Sequence, residues 1–201
     1  MKRARLFWLL ISICGLMLVS QITGILTFHQ LSSNSLLPNY SYREWVICST
    51  LKKYTYNDVV CFKIAPNHHV ELSRLLAVEN DSVEMKDGYI LRNGILADNP
   101  GTLVFSYFTR KEIKGFSKFE NLILAPKQIG DTIIFNLTYL EYKELSRQYL
   151  LRLYHPTLNN FHPLLIPKGY CMVGGDNRSL ASDKNGQELV PLKSIVGTLV
   201  W

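Results

Sequence analysis

The chain opens on an apolar run: residues 6–28 (LFWLLISICGLMLVSQITGILTF) carry no charge. A helix rising ~1.5 Å per residue needs about 20 residues to cross a bilayer's hydrocarbon core. The pattern therefore predicts one membrane-spanning helix over 6–28, and no second run of that length follows. Lys2, Arg3 and Arg5 stand just before it. By the positive-inside rule they place 1–5 in the cytoplasm and residues 29–201 outside the cell membrane. A cleaved signal peptide would show an apolar core of about 7–15 residues and a small-x-small site. This run is longer, and His29-Gln30-Leu31 offers no such site, so an uncleaved anchor is expected.

Beyond the anchor, residues 29–42 are polar, Ser/Asn-rich and interrupted by Pro38, as in extended chain. Residues 44–51 (EWVICSTL) and 58–64 (DVVCFKI) are short apolar runs of strand type. Residues 70–78 (VELSRLLAV) fit a strand or a short helix equally well. Asp87-Gly88 and Asn93-Gly94 read as tight turns between short strands. Thr102–Phe108 and Thr132–Leu137 look like strands, and Thr138 with Glu141 forms a capping-box pattern opening a helix over 138–153. The tail, 169–201, returns to strand character. The expected fold is mainly β.

Composition narrows the function. With 201 residues, 47% hydrophobic and 19% charged, the chain can bury a core and is not a disordered polypeptide. Its net charge of +6 includes the three cations before the anchor, and no basic stripe with interleaved aromatics follows, which excludes a nucleic-acid binder. Cys14 lies in the apolar run; Cys48, Cys61 and Cys171 lie outside it. They form no CxxC and no Cys/His set with zinc spacing, so no metal and no cofactor is expected. The three are read as small buried apolar side chains, with a Cys48–Cys61 bond left open.

Four segments in order resemble the boxes of the type I signal peptidases, membrane-anchored Ser/Lys endopeptidases. Ser33-Asn34-Ser35-Leu36-Leu37-Pro38 is similar to S-x-S-M-x-P. Asn57-Asp58-Val59-Val60-Cys61-Phe62 is similar to G-D-[IV]-V-x-F. Arg74-Leu75-Leu76-Ala77-Val78-Glu79-Asn80-Asp81 follows K-R-[VI]-[IV]-G-L-P-G-D without its first residue. Pro167-Lys168-Gly169-Tyr170 through Gly175-Asp176-Asn177-Arg178 resembles P-x-G-x-[YF]-[FV]-[VM]-G-D-N-R, and Asp183 falls at the Asp of S-x-D-S-R. The resemblance implies a signal-peptidase-like β core over 29–96 and 165–201, with 97–164 as a variable insertion. It makes Ser35 the nucleophile position, and Arg74, Asp176, Asn177, Arg178 and Asp183 its supporting residues.

The departures fall on the chemistry. The family's Lys base position is Ser73, and a hydroxyl is not a base at neutral pH; Arg74 stays protonated. The family's hydroxyl donor falls on Ala181 and its structural Arg on Asn185. Two other side chains are candidate bases. His69 lies four residues before Ser73, ~13 Å away along a strand. Lys184 stands beside Asp183. Losing one member of a catalytic unit costs ~10⁴–10⁶ in rate. The expectation is a cleft that binds an extended peptide, lined by Leu36, Val59, Leu72 and Leu75, without efficient cleavage. The resemblance to degenerate members beside pilus genes makes exported preproteins or pilin-like proteins the expected partners. An active peptidase using Ser35 and a non-standard base is the alternative.

Overall fold

The computed structural model describes residues 2–64, 69–86, 88–99, 102–109, 124–129, 132–149, 161–178 and 187–200. Helix α1 spans Lys2–Thr23. It stops where Gly24 takes a φ of +70°, the left-handed conformation that closes helices and that glycine adopts without a Cβ penalty. The chain then enters β1 (Leu26–Gln30), antiparallel to β2 (Trp45–Ser49). The span expected over 6–28 is thus divided: Leu26, Thr27 and Phe28 belong to the sheet. β-Branched Thr27 and aromatic Phe28 suit a strand, and β2 takes up the backbone hydrogen bonds of the segment. Among the described residues, no helix is long and apolar enough to cross a membrane. Leu6, Trp8, Leu10 and Ile22 on α1 are exposed.

The remaining elements are β3 (Val59–Ile64), β4 (His69–Val78), β5 (Ser82–Lys86), β6 (Tyr89–Arg92), β7 (Ile95–Leu96), β8 (Val104–Thr109), β9 (Leu124–Ile129), β10 (Thr132–Thr138), α2 (Tyr139–Tyr149), β11 (Phe161–Leu165), β12 (Tyr170–Gly174), β13 (Gln187–Pro191) and β14 (Ile195–Leu199). They form a seven-stranded sheet in the order β1-β2-β14-β3-β4-β12-β13, a four-stranded sheet β11-β5-β6-β7 and a three-stranded sheet β8-β10-β9. The segment 70–78 is strand, so the mainly β reading holds. The Asn93-Gly94 turn joins β6 to β7 with φ of +54° and +77°, the paired positive values that a two-residue hairpin requires. The predicted capping box is present. Thr138 N and Oγ1 both donate to Glu141 Oε2, at 2.8 and 2.9 Å, and Glu141 N donates back to Thr138 Oγ1.

The seven-stranded sheet is buried on both faces, which explains the unbroken apolar stretch of β3. Val59 and Cys61 face one cluster with Leu31, Leu36, Val46, Cys48 and Leu72. Val60 and Phe62 face another with Leu75, Cys171, Val173 and Val190. Cys48 and Cys61 are joined by a disulfide, so the reading of them as independent buried thiols is corrected. The bond passes over β14, which lies between β2 and β3. Gly197 of β14 pairs with Cys61, and a Cβ there would stand 3.3 Å from Cys48 Cβ. The absence of a side chain is what leaves the crossing free.

Candidate functional site

The loop after β1 carries Ser33 and Ser35. Its backbone turns on itself, with Leu37 N donating to Asn34 O and Tyr40 N to Leu36 O. Leu36 enters the buried cluster and anchors the loop, while Ser35 stays half-buried. The Ser33 hydroxyl donates to Ser35 Oγ at 2.8 Å. Among the described residues that hydroxyl is the one group hydrogen-bonded to the Ser35 side chain.

The turn after β12 holds the loop from behind. Asn177 N donates to Ser35 O at 2.9 Å, and Asn177 Nδ2 to Asn34 O at 3.2 Å. Gly175 lies so close that a Cβ there would be 2.6 Å from Ser35 O. Asp176 is almost fully buried, and its carboxylate accepts three side-chain bonds. Arg74 Nε and Nη2 each donate at 2.6 Å, and Asn39 Nδ2 donates at 2.7 Å. Arg74 also donates to Asn57 O. Burial alone would lower the Arg74 pKa, but the Asp176 carboxylate overrides it and holds the pKa above its usual value. A cleft of about 260 Å³ opens over Arg74 and Asp176, with Asn39, Asn57 and Asp98 in its wall.

Arg178 points the other way. Its Nη2 donates to Asp98 Oδ1 at 2.8 Å and its Nε to Gly175 O at 2.9 Å; both members of the pair are buried. Asp98 Oδ2 accepts from Ile90 N at 2.6 Å. Burial raises the Asp98 pKa, and the charge of Arg178 only partly offsets that rise. Asp98 was missed in the sequence. It falls in the segment read as a variable insertion, far along the chain from the box it completes. That segment is tied to the site a second time, where Val104 N donates to Asp176 O.

Ser73 occurs on β4, half-buried and paired with Val60, between Leu72 of the cluster beneath the Ser35 loop and Arg74. The boxes thus bring Ser35, Arg74, Asp176 and Asn177 into one hydrogen-bonded assembly with Ser73 on its flanking strand. His69 is not part of it. Its Nε2 sits 2.9 Å from Glu71 Oε1 at the far, exposed end of β4. Leu36, Val59, Leu72 and Leu75, expected to line a groove, are 0–7% exposed and lie within the core. Side chains so placed support the site from below and offer no surface to a peptide. Cys171 is buried, its thiol pushed up to about 11 by desolvation, and is not a nucleophile. Ala181, Asp183, Lys184 and Asn185 lie outside the described residues.

The described residues thus present the Ser35 hydroxyl, bonded to that of Ser33, on a loop held through its backbone beside the buried Arg74–Asp176 ion pair. No curated protein sequence matches the chain closely enough to name a relative. Among solved structures, the crystal structure of a signal peptidase I from Enterococcus faecalis is similar at 21% identity, over 74% of this chain and 98% of that one, with a TM-score of 0.37. The family profile described as signal peptidase, peptidase S26, matches residues 3–201, and by that match over nearly its whole length the chain belongs to the S26 signal peptidase family.

Proposed function

We propose that this protein is a membrane-anchored, signal-peptidase-like accessory to secretion or pilus assembly. It binds an exported preprotein or pilin-like polypeptide in extended form outside the membrane, without efficient cleavage. The observation that carries the reading is the partner of Ser35. A serine nucleophile needs a neighbouring base to take its proton. Here its hydroxyl is bonded to another hydroxyl, and the family's Lys position is Ser73. The braced loop fits a retained binding role, because the Asp176–Arg74 pair and the Gly175 approach fix backbone groups rather than activate the hydroxyl.

Helix α1 supports the anchoring part. From Leu6 to Thr23 it measures ~27 Å, about half a turn short of the ~30 Å hydrocarbon core. Local bilayer thinning makes up such a difference at small cost.

The decisive experiment incubates the purified full chain in detergent with a signal-bearing preprotein. The expected result is saturable binding with no Ser35-dependent cleavage, and binding unchanged in Ser35→Ala. Cleavage abolished by Ser35→Ala would sink this reading in favour of an active peptidase with a non-standard base.

A further inference from the structure

The cluster beneath the Ser35 loop contains a second constellation that the proposed function does not use. His29 on β1, Cys48 on β2 and Cys61 on β3 bring an imidazole nitrogen and two sulfurs within 4.8 Å of one another. Register explains the convergence. Thr27 pairs with Cys48, so His29, two residues on, projects from the same face of the sheet. Gly197 on the intervening strand pairs with Cys61 and puts no side chain in the way.

We propose that, with the Cys48–Cys61 bond reduced, Cys48, Cys61 and His29 hold one thiolate-preferring divalent cation of the zinc type between β1, β2 and β3. Bonds of about 2.3 Å to sulfur and 2.0–2.1 Å to nitrogen put tetrahedral ligands roughly 3.4–3.8 Å apart. The three ligand atoms lie within 4.8 Å of one another, so opening the S–S bond and a small shift of the ring bring them to that spacing. Two thiolates and one divalent cation sum to zero charge, which suits two cysteines that are 0–1% exposed. His29 is only half-buried and sits on an edge strand, so the fourth position faces water. Thr27 Oγ1, 2.9 Å from His29 Nε2, orients the ring as the outer partners of metal-bound histidines do.

The step balances with a dithiol as reductant. One of its thiolates attacks a cysteine sulfur, the S–S bond breaks, and its second thiol resolves the mixed disulfide. The reductant leaves as a disulfide, and Cys48 and Cys61 gain two electrons and two protons. Cation binding then releases those two protons. Because Leu36 shares the cluster with both cysteines, the occupant of this position is felt directly under the Ser35 loop.

The test uses the full chain in detergent micelles, reduced anaerobically with a phosphine so that no competing thiol is present, and Co²⁺ as the probe. The expected result is one Co²⁺ per chain with a thiolate-to-cobalt charge-transfer band. The band appears only after reduction, is absent in Cys48→Ser and Cys61→Ser, and is abolished by stoichiometric Zn²⁺. His29→Ala and Thr27→Val keep both cysteines, so a folding defect of the serine variants does not blunt the test. Each should weaken Co²⁺ binding about 10-fold or more while keeping the thiolate band. No band in the reduced wild-type chain would overturn the proposal. So would unchanged affinity in His29→Ala, or failure of Zn²⁺ to displace Co²⁺.

Discussion

Asp176 shows what a single buried carboxylate does for this site. It is 1% exposed and receives Arg74 through two bonds and Asn39 through one. Removing it leaves Arg74 facing a cavity with its charge unpaired. Asp176→Ala should therefore lower unfolding free energy by about 3 kcal/mol, read from urea midpoints at constant slope. A change within error would mean that the turn is held by its backbone bonds alone. Asp58 makes a different kind of contribution. Burial alone would raise its pKa, but the Thr55 amide, the Lys52 ammonium and the Thr55 hydroxyl outweigh it and hold the carboxyl below its ordinary value. A depressed folded pKa gives stability that is present above the unfolded value and lost as pH falls through the folded one. Stability should thus fall more between pH ~7 and ~3 in the wild-type chain than in Asp58→Asn, which should be the weaker of the two at neutral pH. An equal fall in both would remove Asp58 from the acid response. The same scale accounts for two departures from the family boxes. Asn57 and Asn80 stand at family glycines, and both adopt positive φ, 68° and 70°, a region asparagine tolerates. Glu79, at the family's Pro, accepts from Gly169 N at 2.6 Å and ties two boxes together.

Between elements, the turn after β12 comes very close to the loop after β1. A Cβ at Gly175 would meet a backbone oxygen at 2.6 Å, and neither side can relieve the clash by a side-chain rotation. Gly175→Ala should cost about 1–3 kcal/mol and displace the Ser35 loop, visible as a lower thermal midpoint and altered amide shifts for residues 33–36. An unshifted midpoint would show that the loop yields freely. At this scale the sequence was legible where the determinants are local. The capping box of α2, the Asn93-Gly94 hairpin and the β3 run follow from residues within a few positions of one another. β1 was not legible, because Leu26–Gln30 carries no charge and extends the apolar run, so only Gly24 marks the break. β11 was hidden by Pro163. The strand tolerates that proline because β11 lies at a sheet edge and its pairing with β5 shifts between Phe161 and Leu164. The site was legible as boxes but not as pairings. The partner of Arg178 is Asp98, a contact made by tertiary folding with no signal in local spacing. The groove residues failed for the same reason, since alternation along a strand cannot say which face the rest of the chain covers.

The described residues form a β body preceded by a helix that leads into its edge strand, with much of the helix's apolar surface exposed. Fully burying a Leu or Phe side chain is worth about 1.5–3 kcal/mol. Leu6, Phe7, Trp8, Leu9 and Leu10 are all more than half exposed on α1. Against that gain, a mismatch of a few Å costs fractions of a kcal/mol per Å. On the proposed anchoring role, that burial favours lipid over water for this helix, although it falls about half a turn short of the hydrocarbon thickness. Orientation follows from charge: Lys2, Arg3 and Arg5 precede the apolar stretch, and no cation follows it until Arg43. In the proposed topology the N-terminus stays inside, and the β body and the Ser35 loop would lie outside. The loop comes soon after the strand that follows the helix, so in that topology it would lie near the membrane surface. Protease added to intact spheroplasts should then digest the β body and leave a membrane-embedded fragment containing Leu6–Thr23, while deletion of residues 2–23 should release the domain from sedimented membranes. Full protection of the β body in intact spheroplasts, with digestion only after lysis, would reverse the orientation and with it the access of Ser35 to exported chains.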